Sequence, residues 1–267
     1  MSALEKAFAA AKAEGRAALI GYLPAGFPSV PGAQAAVAAM VEAGVDVVEV
    51  GLPYTDPVMD GPVIQAAADA ALRAGTTTAD VLRTVEAAAS TGAAALLMTY
   101  WNPIERHGAA SLARALADAG AAGVITPDLL PEEAAPWIAA TDAVALPRVF
   151  LVAPSSTDAR IARTAAACSG FVYAASTMGV TGARAAVSNR AAELVARVRP
   201  HTDLPIGVGL GVSTGDQAAT VAGFADGVIV GSALVRCLLE ASDEKAGLAA
   251  IHTLAADLAD GVRRPVR

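Results

Sequence analysis

The sequence predicts an α/β protein: a (β/α)8 TIM barrel with an extra N-terminal helix ahead of the first strand. Three observations lead there. Short runs rich in Val, Ile or Leu recur eight times along the chain. Each run ends near Gly, Pro, Asn or Asp, and each is followed by at least one Ala-rich amphipathic helix. Continuous apolar runs alternating with helices imply parallel strands buried on both faces, and eight such units close naturally into a barrel. A doubly wound open sheet is the competing architecture. No linker, charge block or low-complexity segment marks a second domain, so residues 1–267 are expected to form a single barrel domain.

The elements follow in order. MSALEKAFAAAKAEGR is a charged amphipathic helix that lacks the apolar core of a signal peptide. The candidate strands are AALIGYL (17–23), VDVVEV (45–50), AALLMTY (94–100), GVITPD (123–128), LPRVFLV (146–152), GFVYAAS (170–176), PIGVGL (205–210) and GVIVG (227–231). In a barrel of this kind the functional groups belong where strands end and βα loops begin.

Composition sets the outer limits. The 267 residues are 55% hydrophobic but only 4% aromatic, so the mean hydropathy of +0.50 reflects alanine-rich helices. No apolar run approaches the ~20 residues of a spanning helix, which argues against a membrane protein. The net charge of −7 and pI near 5.0 argue against nucleic acid as a partner. A cytoplasmic location is expected. Cys168 and Cys237 fall in helical patterns and read as buried free thiols.

The carboxylates draw attention next. GVDVVEVG (44–51) and ADGVIVG (225–231) align on their closing glycines, and Glu49 then falls opposite Ile229. The strand framework therefore accepts an aliphatic residue where Glu49 stands. Strand position alone leaves two readings: a strand-end Glu paired with a neighbouring Arg, or a functional carboxylate. Asp46 and its counterpart Asp226, at the strand starts, read as structural. Beyond Glu49 runs a loop stiffened by Pro53, Pro57 and Pro62, carrying Asp56 and Asp60. Asp60-Gly61-Pro62 is either an ordinary turn before a helix or a means of returning Asp60 over the mouth beside Glu49. Two carboxylates in different surroundings can divide acid and base duties.

Other chemistries lack their residues. The lysines are Lys6, Lys12 and Lys245, all in predicted helices, so a strand-borne Schiff-base lysine is missing. His107, His201 and His252 show no ligand spacing, and no metal-ligand set, GxSxG, CxxC or P-loop is present. Carboxylate acid–base chemistry without metal or cofactor is what remains. Three glycine-bearing turns follow the last three strands: Gly179-Val180-Thr181-Gly182, Gly209-Leu210-Gly211 and Gly231-Ser232. With helices expected to start near Ser213 and Ser232, backbone N–H groups and helix dipoles would meet there in a phosphate seat.

At these residues the sequence resembles the α subunits of tryptophan synthase. The matching segments are GYLPAGFPS (21–29), VEVGLPYTDPVMDGPVIQ (48–65), LMTYWNPI (97–104), GVITPDLLPEEA (123–134), FLVAPSST (150–157), VYAASTMGVTGAR (172–184), GVGLGVST (207–214) and DGVIVGSALV (226–235). The resemblance implies retro-aldol cleavage of indole-3-glycerol phosphate to indole and glyceraldehyde 3-phosphate. It implies that Glu49 is the acid–base group and that Asp60 accepts the indole N–H. Gly182, Gly211, Gly231 and Ser232 match the phosphate cradle, and Tyr173 matches a tyrosine beside the glutamate. Thr181 matches a threonine of a closing loop. Tyr22, Ile64, Leu97 and Leu210 match the apolar indole pocket. Tyr22 and Leu210 replace aromatics more usual in the family, and Thr177 stands where an arginine is common. The implied partner is a β subunit in an α2β2 assembly, with pyridoxal phosphate confined to that partner. Asp56, the Asn102-Pro103 turn and Pro131 would face it. A stand-alone indole-3-glycerol-phosphate lyase and a non-catalytic regulator of a β subunit are the alternatives, the latter opposed by the intact Glu49 and Asp60. A phosphate-sugar isomerase lacks its His or Lys electrophile.

Overall fold

The computed structural model describes residues 1–176, 184–209 and 211–264, with residues 184–188 described by their backbone alone. Nine parallel strands form one sheet: β1 (Ala18–Pro24), β2 (Val47–Gly51), β3 (Ala94–Met98), β4 (Gly123–Ile125), β5 (Arg148–Val149), β6 (Leu151–Val152), β7 (Val172–Ala175), β8 (Ile206–Gly209) and β9 (Gly227–Val230). Their order is β5-β4-β3-β2-β1-β9-β8-β7-β6. The two ends of that list are consecutive in the chain, so the sheet closes on itself and the open doubly wound alternative is excluded.

The expected fifth strand, 146–152, is the point of closure and is divided at Phe150. Phe150 N–H donates to Cys168 Sγ at 3.3 Å instead of to a strand, while its carbonyl accepts from Tyr173 N at 3.2 Å. One residue thus turns its two backbone groups to different neighbours, and β5 pairs with β4 while β6 pairs with β7. The other expected strands are present with ends shifted by a residue or a few. At 94–100 the strand stops at Met98, and Tyr100 caps the helix that follows.

Among the described residues twelve α-helices accompany the strands. The N-terminal helix α1 (Ala3–Ala13) begins with a capping box: Ser2 Oγ accepts from Glu5 N, and Glu5 returns a carboxylate to Ser2 N. β1 leads to α2 (Val30–Glu42), β2 to α3 (Pro62–Arg73) and α4 (Thr78–Ser90), and β3 to α5 (Trp101–His107) and α6 (Ala109–Asp118). α7 (Ala135–Asp142) follows β4, α8 (Asp158–Ala167) follows β6, and α9 (Arg184–Val198) follows β7. α10 (Gly215–Ala222) follows β8, and α11 (Ser232–Leu239) with α12 (Glu244–Val262) completes the ring after β9. The cap of α10 is Thr214, one residue beyond the Ser213 expected from the sequence.

Period-two alternation sorts the strand residues into two cores. Leu19, Val48, Val50, Leu97, Val124 and Val208 face the helices. Ala18, Ile20, Val47, Leu96, Ile125, Val149, Phe171 and Ile229 fill the barrel interior. Helix α1 closes the interior from below by inserting Leu4, Phe8 and Ala11, with the Phe8 and Phe171 rings 5.6 Å apart. The same end holds the two aspartates read as structural. Arg16 grips Asp46 through two nitrogens at 2.7 and 2.9 Å, and the Asp46 carboxylate also accepts from Leu19 N at 2.8 Å. Asp226 accepts from Arg199 at 2.7 Å and from Ile206 N at 2.8 Å. These carboxylates are used up in fastening strand starts, and the opposite end of the barrel is left for chemistry.

Because Phe8 is the floor of the interior, truncating it leaves a hole that rigid strands cannot fill. Phe8→Ala should lower unfolding free energy by about 3 kcal/mol or more in urea titrations. A loss below about 1 kcal/mol would show that α1 is peripheral to the core.

Candidate active site

At the upper end of the barrel β2 places Glu49 one pleat above Val47, pointing inward. Glu49 is 1% exposed, and among the described residues its buried Oε1 has no hydrogen-bond partner. The arginine-paired reading therefore fails: among the described residues no cation forms an ion pair with Glu49. Burial alone pushes its carboxyl from 4.5 up to about 8. The proton is held at neutral pH because the anion has nothing to compensate its lost hydration.

The walls around Glu49 depend on two glycines. Tyr22 pairs with Glu49 across β1 and β2, and its ring lies over Gly51, where an added Cβ would fall 2.2 Å from Tyr22 Oη. Tyr173, on β7, lies over Gly209, where a Cβ would fall 2.6 Å from Tyr173 Oη. These two strand-end glycines are steric clearances for phenol rings. Burial, then the nearby carboxylates, hold the Tyr22 hydroxyl well above its usual range, and burial with Glu49 does the same for Tyr173.

Between them lies a cavity of about 210 Å³. Glu49, Asp60, Tyr22, Ile64 and Tyr173 line it, together with Gly211, Gly231 and Ser232 at its far side. Asp60 is half-buried; burial raises its carboxyl and the Tyr100 hydroxyl pulls it partly back. Gln65 Nε2 donates to the Asp60 carbonyl at 2.8 Å, tying the loop end to the first turn of α3. Gly211 has φ +74°, a left-handed turn open to glycine. α11 begins at Ser232 with no side chain capping its free N–H groups, so these remain available to an anion.

Most of the expected site residues thus converge, with exceptions. Thr181, Gly182 and Leu210, like Thr177, lie outside the described residues. Leu97 is corrected: it faces the helices, fully buried in the outer core, and its neighbour Met98 lines the cavity instead. Met59, Leu151, Ala175, Ser176, Gly209 and Ile229 also line it and were not anticipated as a group. For one of them the sequence held a signal, since Ile229 aligns with Glu49; Leu151 is placed by its register with Tyr173, which only the fold reveals. Of the expected partner-facing residues, Asp56, Asn102 and Pro103 gather in a surface hollow beside the mouth, with Tyr54, Arg106 and His107. Asn102 and Pro103 belong to the first turn of α5 rather than to a free turn, and Pro131 sits on a separate loop. Among the described residues no three His, Cys, Asp or Glu side chains gather as a metal site.

The raised carboxyl has a consequence for stability. In the unfolded chain Glu49 ionises near 4.5, whereas in the fold it keeps its proton to about 8. The folded state therefore binds more protons across that window. The contribution is fully present below pH ~4.5 and is lost as pH rises towards 8, at up to roughly 1.4 kcal/mol per pH unit. Urea unfolding from pH 5 to 8 should show Glu49→Gln gaining steadily on wild type, and parallel curves would contradict the burial-driven shift.

Known proteins place this geometry. Residues 8–263 match the family model described as "Tryptophan synthase alpha chain". The tryptophan synthase alpha chain of Acidothermus cellulolyticus is 62% identical over 264 residues, covering 99% of this chain and 98% of that one. That of Thermobifida fusca is 58% identical, with 100% of both chains covered. A tryptophan synthase structure from Mycobacterium tuberculosis superposes with TM-score 0.91 at 54% identity, over 98% of each chain. The tryptophan synthase subunit alpha of Legionella pneumophila gives 0.89 at 32% identity, again over 98% of each. The chain belongs to the tryptophan synthase alpha chain family.

Proposed function

We propose that this chain is the α subunit of tryptophan synthase, a lyase that cleaves indole-3-glycerol phosphate to indole and glyceraldehyde 3-phosphate using its own carboxylates and no metal or cofactor. It acts in the cytoplasm as one barrel domain spanning residues 1–267, and passes indole to a pyridoxal-phosphate-dependent β subunit in an α2β2 assembly. Among the described residues no helix is long and apolar enough to cross a membrane.

The observation that carries the reading is the orphaned, protonated carboxyl of Glu49 opening on a cavity with a second carboxylate. The bond to be broken joins indole C3 to the hydroxyl-bearing carbon of the side chain. Glu49, neutral at the start, donates its proton to indole C3. This turns the ring into an electron sink with positive charge at the N–H. Asp60, ionised, accepts a hydrogen bond from that N–H and stabilises the charge as it develops. Glu49, now an anion, takes the proton of the side-chain hydroxyl. The carbonyl of the aldehyde forms, the carbon–carbon bond breaks, and its electron pair restores the indole. Glu49 ends protonated, ready for the next turnover. The opposite environments of the two carboxyls supply the two roles.

The rest of the cavity serves binding. Tyr22, Ile64 and Tyr173 give the indole an apolar enclosure, with Met98 in the place first given to Leu97. The N–H groups at Gly211, Gly231 and Ser232 seat the phosphate, and the family resemblance adds Gly182. By the same resemblance Leu210 joins the indole pocket and Thr181 the closing loop. Asp56, Asn102, Pro103 and Pro131 face the β subunit.

Indole release assayed with and without added β subunit tests this directly. Glu49→Gln should lose about 10²–10⁴ of turnover while binding a phosphorylated indole analogue within a few-fold of wild type; near wild-type turnover would remove Glu49 from the mechanism. Asp60→Asn should be similarly crippled. Ser232→Asp should raise the substrate Kd by charge repulsion at the phosphate end, and an unchanged Kd would move the phosphate elsewhere.

A further inference from the structure

We propose that Tyr100 is a positioning residue for Asp60: its buried hydroxyl holds the loop by the Met59 backbone N–H, one residue before Asp60, and so fixes that carboxylate where the indole N–H must lie. The inference rests on the role of Asp60 given above and adds a residue that touches neither substrate nor Glu49.

Tyr100 stands where β3 gives way to α5, and it is 5% exposed. Its hydroxyl accepts from Met59 N, the residue before Asp60, at 3.1 Å. Pro53 and Pro57 have no N–H to give. Among the described residues, Met59 is the one member of 53–60 whose backbone N–H makes a hydrogen bond. The loop is otherwise exposed at this point, with Val58 at 75% and Met59 at 50%. Tyr100 itself is well fixed. Its ring lies 5.5 Å from that of Tyr54, whose hydroxyl accepts from Asn102 Nδ2 at 2.6 Å. The following residue, Trp101, donates its N–H to Asp128 at 2.9 Å. A rigid phenol therefore meets a loop that has little else to hold it. From β1 the Tyr22 hydroxyl feels the charge of Asp60.

The test is a double-mutant cycle on the full-length chain with two probes: a non-cleavable phosphorylated 3-alkylindole and its benzofuran counterpart, which lacks the N–H. Wild type should prefer the indole probe by about tenfold or more, the worth of a hydrogen bond to a charged group. Tyr100→Phe keeps the ring and its packing. It should cut that preference several-fold and slow turnover about tenfold, leaving the benzofuran Kd and the unfolding midpoint unchanged. Asp60→Asn should abolish the preference, and adding Tyr100→Phe should then change nothing further. Equal loss of both probes in Tyr100→Phe, or full retention of preference beside a crippled Asp60→Asn, overturns the inference alone. An Asp60→Asn chain with wild-type preference overturns the role of Asp60 and this inference with it.

Discussion

The burial of one carboxyl without a partner organises this molecule. Glu49 sits in the middle of β2, in register with Tyr22 on one side and Leu96 on the other. Isolated burial of an anion is costly enough that the group keeps its proton instead. The fold thereby stores an acid at neutral pH, and the acid is poised beside a cavity. Any arginine, lysine or well-placed amide within reach would lower the pKa and turn the same glutamate into an ordinary buried salt bridge. That no described residue offers Oε1 a hydrogen bond is thus a feature of the site.

Much of the surrounding structure serves to keep that arrangement apart from other charge. The barrel separates its polar work into two ends. At the lower end Asp46 and Asp226 sit in bonded clusters with Arg16, Arg199 and strand N–H groups, where their charge is compensated. Between the ends the interior is filled by branched aliphatic residues and Phe171, with α1 as floor. At the upper end Gly51 and Gly209 make room for two tyrosines that wall in Glu49 while offering it no cation. The second carboxylate arrives on a loop instead of a strand and is only half-buried, so burial raises it less completely than the fully enclosed Glu49.

The barrel itself was legible because its signal is repetitive. Eight apolar runs with intervening alanine-rich helices leave few ways to bury both faces of each strand. The roles of Asp46 and Asp226 were legible for a related reason, since a strand-start aspartate before an apolar run needs a donor and the fold supplies one. The alignment of Glu49 with Ile229 showed that the strand framework accepts an aliphatic residue there, and the fold adds that both line one cavity. Other features depended on contacts between distant parts of the chain. Phe150 divides its strand because a thiol eighteen residues later takes its N–H. Gly209 clears space for Tyr173, which a local reading of glycines as an anion turn could not reveal. Leu97 and Met98 are adjacent, and the period-two alternation of a strand sends one to the helices and the other to the cavity, so a one-residue shift in register reverses the assignment. Asn102-Pro103 has turn composition, yet the first turn of a helix accepts proline equally well.

The most direct test is to observe the Glu49 carboxyl itself. Carbon-13 labelling of glutamate side chains, with the Glu49 resonance assigned from the spectrum of Glu49→Gln, allows its ionisation to be followed by NMR in the ligand-free protein. The account requires a titration midpoint near 8. A midpoint close to 4.5, the value of a solvated glutamate, would mean that the carboxyl is hydrated or paired, and the acid that starts the cleavage would not exist.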